Sequence, residues 1–107
     1  MKKLPLVACC QPLTRPSLSE PEAADLEQVF KALADRNRVL MLNMLIRGGD
    51  AVCVCDFQDA LDLKQSTASY HLKQLVDAGL VARERRGTFS YYTLEPGALE
   101  RVAGVFA

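Results

Sequence analysis

The sequence predicts a small α+β domain that is mainly helical and carries one β-hairpin near its C-terminal end. Apolar residues recur at helical spacing along most of the chain, between residues that cap or end helices. Near the end, two β-prone runs of about seven residues flank Gly87, which is typical of a hairpin. A chain of 107 residues with 50% hydrophobic residues can bury one core without disulfides. We therefore expect a single domain.

Residues 1–18 are predicted to be an arm that precedes this domain, which then spans residues 19–107. The arm contains several prolines and no apolar period. It begins MKKLPLVACC, which imitates a lipoprotein export signal, but only five residues separate Lys3 from Cys9. Such a signal needs an apolar stretch of roughly 7 to 15 residues. We therefore expect a cytoplasmic protein that does not associate with a membrane.

Two helices are predicted to follow the arm. Ser19 and Glu22 have the spacing of a capping box and begin a first helix that ends near Ala34. Asp35 caps a second helix, which ends at the glycine pair 48–49. The predicted buried faces are Leu26, Val29, Phe30 and Leu33 in the first helix and Val39, Leu42, Leu45 and Ile46 in the second.

Three further elements complete the predicted domain. A short third helix is expected over residues 56–61, and KQSTASYHLKQLVDAG predicts a fourth helix of roughly 13 residues that ends at Gly79. The run LVARERRGTFSYYTL predicts the hairpin, and Pro96 stands near the start of a fifth helix. The predicted apolar faces are Ala68, Leu72, Leu75 and Val76 in the fourth helix and Leu99, Val102, Val105 and Phe106 in the fifth.

A short helix, a tight turn, an amphipathic helix and a basic hairpin follow one another in the order of a winged helix-turn-helix. In such a domain the second of these helices enters the major groove of duplex DNA, and the hairpin reaches neighbouring phosphates. Glutamine can read adenine there, and serine or threonine can contact bases or phosphates. The candidate DNA-binding residues are Gln65, Ser66, Thr67, Ser69, Tyr70, His71, Lys73, Arg83, Arg85 and Arg86. The alternative is that these side chains are only a solvated surface, and His71 is interpreted as either structural or DNA-facing.

The sequence does not predict an enzyme. It has one histidine, no glycine loop of the kind that holds phosphate and no evident pair of catalytic carboxylates. A thiol oxidoreductase would favour Cys-x-x-Cys, whereas this chain has CC and CVC. We therefore expect neither catalysis nor an organic cofactor.

Four segments together resemble the ArsR/SmtB family of bacterial metal-sensing repressors. They are FKALADRNRVLMLNML, VCVCDF, LDLKQSTASYHLKQLVDAGLV and RRGTFSYYTL, and the resemblance covers about residues 22–94. It implies a homodimeric winged helix-turn-helix repressor of operator DNA, with a dimer interface formed by the first and last helices. Its DNA affinity would fall when an inducer binds. The chain departs from the family at Arg36 and Asn37, where Pro and Thr are frequent.

The four cysteines are the candidate metal ligands. In a reducing cytosol they favour metal binding or redox chemistry over structural disulfides. Cys53 and Cys55 match the metal box of the family, and two residues so spaced can share one ion only if Cys53 lies outside the helix. In the arsenic-responsive branch a third cysteine often follows at the position of Gln58. Cys9 and Cys10 resemble the N-terminal pairs that complete a thiolate site in some members, often across the dimer.

Soft thiolate ligands select soft ions. Arsenite, which takes three thiolates, is the first expectation for the inducer, with antimonite as its chemical twin. A four-thiolate cadmium or lead site is the close alternative, and a repressor switched by thiol oxidation is another. Two simpler interpretations stay open, namely that Cys53 and Cys55 are small buried hydrophobic residues and that Cys9 and Cys10 have no function. A zinc site on the last helix is not expected, because that helix has no histidine.

Overall fold

A computed structural model describes residues 15–106. In that part of the chain, five helices surround a three-stranded antiparallel sheet with the strand order β1-β3-β2. The elements are α1 (Glu20–Leu33), α2 (Arg36–Gly48), β1 (Val52–Cys53), α3 (Val54–Leu61), α4 (Gln65–Asp77), β2 (Val81–Arg86), β3 (Phe89–Leu94) and α5 (Ala98–Val105). The predicted fold class is confirmed. Cys9 and Cys10 lie outside the described residues, so the arm and its boundary at residue 18 remain predictions.

The first two helices begin at the predicted caps. The Ser19 hydroxyl accepts a hydrogen bond from the Glu22 amide at 3.2 Å, and the Glu22 carboxylate accepts one from the Ser19 amide at 2.8 Å. Asp35 Oδ1 accepts bonds from the amides of Asn37 and Arg38 at 2.9 and 3.2 Å. Both bonding patterns satisfy backbone donors that a helix start would otherwise leave unpaired.

The third helix begins at Val54, two residues earlier than predicted. The Cys53 sulfur provides the cap, since it accepts a hydrogen bond from the Cys55 amide at 3.4 Å. Val54 and Phe57 are buried in the core, which keeps the first turn of α3 against the protein. The predicted start at residue 56 was wrong because the helix is capped by a thiol, which is not among the usual capping groups.

The sheet contains one strand that the sequence did not predict. β1 has only two residues, and it pairs with β3 so that Val52 lies opposite Tyr92 and Cys53 opposite Tyr91. β2 and β3 form the predicted hairpin, and Gly87 between them has a φ of 64°, which favours glycine. The strand that carries Cys53 is therefore paired directly with the second strand of the hairpin.

The core lies between α2, α3, α4 and the sheet. Its largest fully buried side chains are Phe57, Met41, Leu72, Leu75, Leu80 and Val81. The predicted buried face of α2 was partly wrong, because Val39 and Ile46 are 50% and 52% exposed while Met41, Leu42 and Leu45 are buried. The inward face of α2 is thus rotated from the one that the apolar spacing indicated.

The predicted faces of α1 and α5 meet at the edge of the molecule. The rings of Phe30 and Phe106 lie 6.0 Å apart, and both side chains remain substantially exposed. Leu26 and Val105 line the same apolar surface. No helix within residues 15–106 combines the length and apolar character needed to cross a membrane.

Candidate thiolate site and nucleic-acid interface

The two cysteines of the CVC motif form a sulfur pair at the start of α3. Cys53 is buried at the end of β1, and Cys55 is exposed in the first turn of the helix. Because Cys53 lies outside the helix, both sulfurs can turn to the same side, and the Sγ atoms are 2.7 Å apart. The geometric condition for sharing one ion is therefore met.

The Cys55 thiol has a raised pKa. The pKa of the Cys55 thiol is raised above its ordinary value, first because it donates a hydrogen bond to the Cys53 sulfur. Partial burial and the neighbouring Cys53 and Asp56 side chains act in the same direction. A ligand that binds both sulfurs at neutral pH must therefore displace or carry away thiol protons.

Two sulfurs fit a soft ion but leave its coordination incomplete. Within residues 15–106, no group of three or more His, Cys, Asp and Glu side chains is arranged to hold a metal ion. Gln58 stands at the position of the third cysteine of the arsenic-responsive branch and lies beside Cys55 on the same surface groove. An amide oxygen is a hard ligand and does not replace a thiolate for such an ion.

The predicted polar face of α4 is presented to solvent at its N-terminal end. Gln65, Ser66, Tyr70 and Lys73 are exposed, whereas Thr67 and Ser69 are partly buried. The N-cap residue Lys64 makes no side-chain capping bond. The amides at this helix start are thus free of a side-chain cap, which suits contact with an anion such as a phosphate.

His71 differs from the other candidates on α4 because it is buried. Its Nδ1 atom is 3.9 Å from Asp35 Oδ1 and has no hydrogen-bond partner within the described part of the chain. Asp35 is the cap of α2, so His71 connects α4 to the start of another helix. Of the two interpretations of this histidine, burial fits the structural one.

The three arginines of the hairpin are exposed. The Arg83 guanidinium donates a hydrogen bond to the Ser90 hydroxyl at 3.2 Å. Arg86 donates one to Glu84 at 3.1 Å and stacks over the ring of Tyr91 at 4.7 Å. Arg86 is therefore partly occupied by neighbours on its own hairpin, whereas Arg85 shows no such contact among the described residues.

A groove with a volume of about 710 Å³ lies between α3, α4 and the hairpin. It brings together predicted residues of both kinds, namely Cys55 from the sulfur pair and Gln65, Ser69, Lys73, Arg83 and Arg85 from the candidate DNA-binding set. Gln58, which the sequence indicated as the position of a third cysteine in the arsenic-responsive branch, also lines it. Thr88, Phe89 and Ser90 line it as well and were not predicted from the sequence. For Ser90, the usable signal was its position in the second β-prone run, whereas Thr88 lies in the turn before β3. The groove does not include Ser66, Thr67, Tyr70, His71 or Arg86 among its lining residues.

These features define a winged helix-turn-helix domain with a sulfur pair beside its basic groove. Residues 35–83 match the model of bacterial regulatory proteins of the arsR family. The chain belongs to that family, as the resemblance predicted. Membership places it among regulatory proteins and confirms the expectation that it is not an enzyme.

Several relatives and solved structures support this assignment. The chain is 48% identical over 68 residues to the arsenical resistance operon repressor of Bacillus subtilis. The aligned region covers 64% of this chain and 64% of the relative. It is 35% identical over 78 residues to a CadC homolog of Staphylococcus aureus, a cadmium resistance transcriptional regulatory protein, covering 73% of this chain and 64% of the relative. The chain spans about half to two thirds of the length of the first curated relatives it matches.

Solved structures show the same fold. HlyU from Vibrio cholerae is similar with a TM-score of 0.70 and 27% identity, covering 82% of this chain and 94% of that one. The solution structure of a homodimeric winged helix-turn-helix DNA-binding domain from Mycobacterium bovis is similar with a TM-score of 0.65 and 30% identity, covering 86% of each. The winged helix-turn-helix architecture expected from the sequence is thus confirmed.

Proposed function

We propose that the protein is a transcriptional repressor that binds operator DNA as a homodimer and leaves it when arsenite binds to its cysteines. The observation that carries this proposal is the sulfur pair of Cys53 and Cys55, 2.7 Å apart at the start of α3 and beside the basic groove. The similarity of the chain to arsenical and cadmium resistance regulators supports metal or metalloid sensing.

The DNA-binding surface in this proposal is the exposed N-terminal half of α4 together with the hairpin. Gln65 and Ser66 lie on the first turn of α4, where a recognition helix contacts base edges. Lys73, Arg83 and Arg85 supply positive charge for phosphates on either side. The hairpin acts as the wing.

The dimer interface in this proposal is the apolar surface formed by α1 and α5. Phe30 and Phe106 contact each other and are 40% and 74% exposed, which is unusual for two aromatic side chains in one patch. A second copy would cover these rings and place two α4 helices at a fixed separation. The homodimeric relative from Mycobacterium bovis has the same fold.

Arsenite is favoured over cadmium or lead by the protons on the sulfur pair. Arsenous acid reacts with three thiols to give a tris-thiolate and three water molecules, so the thiol protons leave as water and none is released. Cadmium or lead must instead displace those protons into solution. Because the pKa of Cys55 is raised, this displacement is opposed at neutral pH, whereas arsenite binding is not.

The third sulfur in this proposal comes from Cys9 or Cys10. Within residues 15–106 the sulfur pair has no third ligand, and the arm holds the other two cysteines of the sequence. Roughly ten residues of extended chain span about 33 Å, and this proposal requires that reach of the segment between Cys10 and α1, within one subunit or across the dimer.

Release would follow from rearrangement at the start of α3. The Cys53 sulfur caps this helix, and its strand is paired with β3 of the wing. Engaging both sulfurs on one ion withdraws the cap and pulls on α3, which packs against α4. By linkage, DNA must weaken inducer binding by the same factor as the inducer weakens DNA binding.

A thiol-oxidation switch is the second candidate, and the short distance between the two sulfurs favours it. Peroxide would oxidise Cys53 and Cys55 to a disulfide, with two thiols and one peroxide giving the disulfide and two water molecules. If mass spectrometry finds this disulfide after mild oxidation and its formation abolishes DNA binding, the oxidation switch is favoured. Stoichiometric arsenic on the reduced protein would favour metalloid sensing.

The deciding experiment is a fluorescence-anisotropy titration of reduced protein on the promoter of its own gene, with arsenite, antimonite, cadmium and lead added separately. We expect release by arsenite and antimonite, with midpoints that change little between neutral and mildly acidic pH. The Cys9→Ser/Cys10→Ser variant should bind DNA and resist release. Release only by cadmium or lead would contradict the arsenite assignment, and no release by any ion would leave the oxidation switch.

A further inference from the structure

The groove between α3, α4 and the wing has the composition of a phosphate site. Lys73, Arg83 and Arg85 line it against one carboxylate, Asp77. Ser69, Thr88 and Ser90 add hydroxyl donors. Cations with neighbouring hydroxyls are the groups that proteins use to bind phosphate oxygens.

Among residues 15–106, the cations of the groove make contacts that an anion can replace. Lys73 pairs with Asp77 at 2.9 Å, and both side chains are more than half exposed. Arg83 has a single hydrogen bond to the Ser90 hydroxyl. Exposed pairs of this kind contribute little to stability, so the lysine and arginine can turn toward a phosphate at small cost.

The sulfur pair opens on this same groove. Cys55 lines the wall opposite the wing, together with Val54 and Gln58 of α3. An ion held by Cys55 therefore stands at the edge of the space that a phosphate would occupy, and so do the other ligands that complete its coordination.

We propose that this groove seats a backbone phosphate of the bound DNA and that a ligand on Cys55 displaces that phosphate directly. This inference rests on the proposed DNA-binding role and adds a second route to release, local to the groove and distinct from the loss of the α3 cap. The shared chemistry is a phosphate oxyanion, and DNA is its source rather than free phosphate.

The test uses adducts on Cys55 in place of arsenite. In the Cys9→Ser/Cys10→Ser/Cys53→Ser variant, Cys55 is the one remaining thiol of the sequence, and serine at 53 keeps a capping side chain. Three thiosulfonate reagents would form mixed disulfides there: a methyl adduct, an anionic sulfonatoethyl adduct and a cationic trimethylammonium-ethyl adduct. The same reagents on the variant that also carries Cys55→Ser are the matched control.

Affinity for a promoter duplex and its salt dependence would be measured for each adduct, relative to the unmodified variant. We expect the anionic adduct to weaken binding at least ten-fold. The salt slope, which is the steepness with which the logarithm of the binding constant falls with the logarithm of the salt concentration, should decrease by about one for each phosphate that a subunit no longer neutralises. The methyl adduct should weaken it about two-fold or less, because it is small and uncharged. Equal losses for the methyl and anionic adducts, or unchanged affinity with all three, would overturn the proposal.

A protection measurement identifies the source of the phosphate. The rate at which Cys55 reacts with the methyl reagent should fall several-fold when promoter duplex is bound, and inorganic phosphate at equal ionic strength should not reproduce this. Protection by inorganic phosphate but not by DNA would overturn the assignment to DNA. If the unmodified variant and the wild-type chain both failed to bind the promoter, the repressor proposal itself would be contradicted. The adduct series compares modified with unmodified protein, so its failure would contradict only the phosphate site.

Discussion

The helices of this domain begin with an oxygen cap, a sulfur cap or no side-chain cap, and α4 and α5 belong to the last kind. α1 and α2 are capped by oxygen atoms, a hydroxyl and a carboxylate, and the carboxylate of Asp35 accepts two amide hydrogen bonds. α3 is capped by the sulfur of Cys53 at 3.4 Å, and α4 has no side-chain cap. Sulfur is a weak acceptor, whereas an ionised carboxylate is a strong one. The starts of α3 and α4 are therefore less firmly capped than those of α1 and α2, although Phe57, Leu72 and Leu75 of these two helices are fully buried in the core.

This difference matches the division of roles in the proposed function. In the firmly capped pair, α2 packs in the core and α1 contributes to the apolar surface shared with α5. The weakly capped pair carries the sulfur site and the groove. A ligand that takes the Cys53 sulfur removes a bond that is easily broken, and the uncapped amides of α4 remain available to DNA phosphates.

The largest expected effect is loss of the response to inducer in Cys55→Ser. A serine hydroxyl does not replace a thiolate for a soft ion, while the Cys53 cap and the fold remain. We expect normal promoter binding and no release by arsenite at concentrations that fully release the wild-type protein, measured by anisotropy. A variant that still bound arsenite and left the DNA would contradict the role given to the sulfur pair.

A gain of function is expected from Gln58→Cys in the Cys9→Ser/Cys10→Ser background. Residue 58 lies three positions after Cys55 on α3 and lines the same groove, and residues so spaced share a helix face. A thiol there should supply the third sulfur and restore release by arsenite without the arm.

The matched control for this gain is Ala60→Cys in the same background. Residue 60 is exposed on α3, and its spacing of five from Cys55 places it on another face of the helix. It adds the same thiol without completing the site. Equal restoration by both variants would mean that the number of thiols matters and their position does not.

The sequence predicted those elements whose start and end signals are local. The caps of α1 and α2, the glycine after α4 and the β-prone runs around Gly87 each act within a few residues, and all four signals were confirmed. β1 was missed because two residues have no period, and its pairing with Tyr91 and Tyr92 is a long-range contact. The inward face of α2 was misjudged because packing against α4 and β3 decides it.

The candidate site shows the same limit. The CVC motif indicated the sulfur pair, and the condition that Cys53 lie outside the helix was a local argument that the structure meets. The meeting of Cys55 with Arg83, Arg85 and Ser90 in one groove depends on how the wing folds over α3. No spacing within the chain encodes that approach.

A smaller effect is expected in the wing, and it should differ between two neighbouring arginines. Arg86 is hydrogen-bonded to Glu84 and stacked on Tyr91, whereas Arg85 lines the groove. Arg85→Ala should weaken DNA binding across sequences and lower the salt slope by about one for each phosphate that is no longer neutralised. Arg86→Ala should have the lesser effect, and both changes together should flatten the slope further.

Arg47→Ala is the control for the wing. Arg47 is exposed in the last turn of α2 and does not line the groove, so its replacement removes the same charge from another surface. The salt slope of this variant should equal that of the wild-type protein. If the wing variants also kept the wild-type slope, the hairpin would not be among the phosphate contacts.

A stability change of about 1 kcal/mol is expected for Asp35→Ala, the usual cost of losing an N-cap side chain. Asp35→Asn retains an oxygen acceptor and should lose only part of this. Thermal unfolding measures the difference, since 1 kcal/mol lowers Tm by about 4 to 8 °C in a domain of this size. If both variants and the wild-type protein had the same Tm, the start of α2 would be no more firmly held than that of α3.

The pH dependence of the same cap is the finest test of the comparison. Burial of Asp35 tends to raise its pKa, but the amides of Arg38 and Asn37 and the charges of His71 and Arg38 outweigh burial and hold the pKa below 3.8. A lowered pKa means that the ionised carboxylate stabilises the fold above pH 3.8 and that this contribution is lost as the pH falls through the lower folded value. The difference in unfolding free energy between wild type and Asp35→Asn should therefore shrink as the pH falls below about pH 4. A difference that stayed constant to the acid limit would show that the charge of Asp35 does not hold α2 in place.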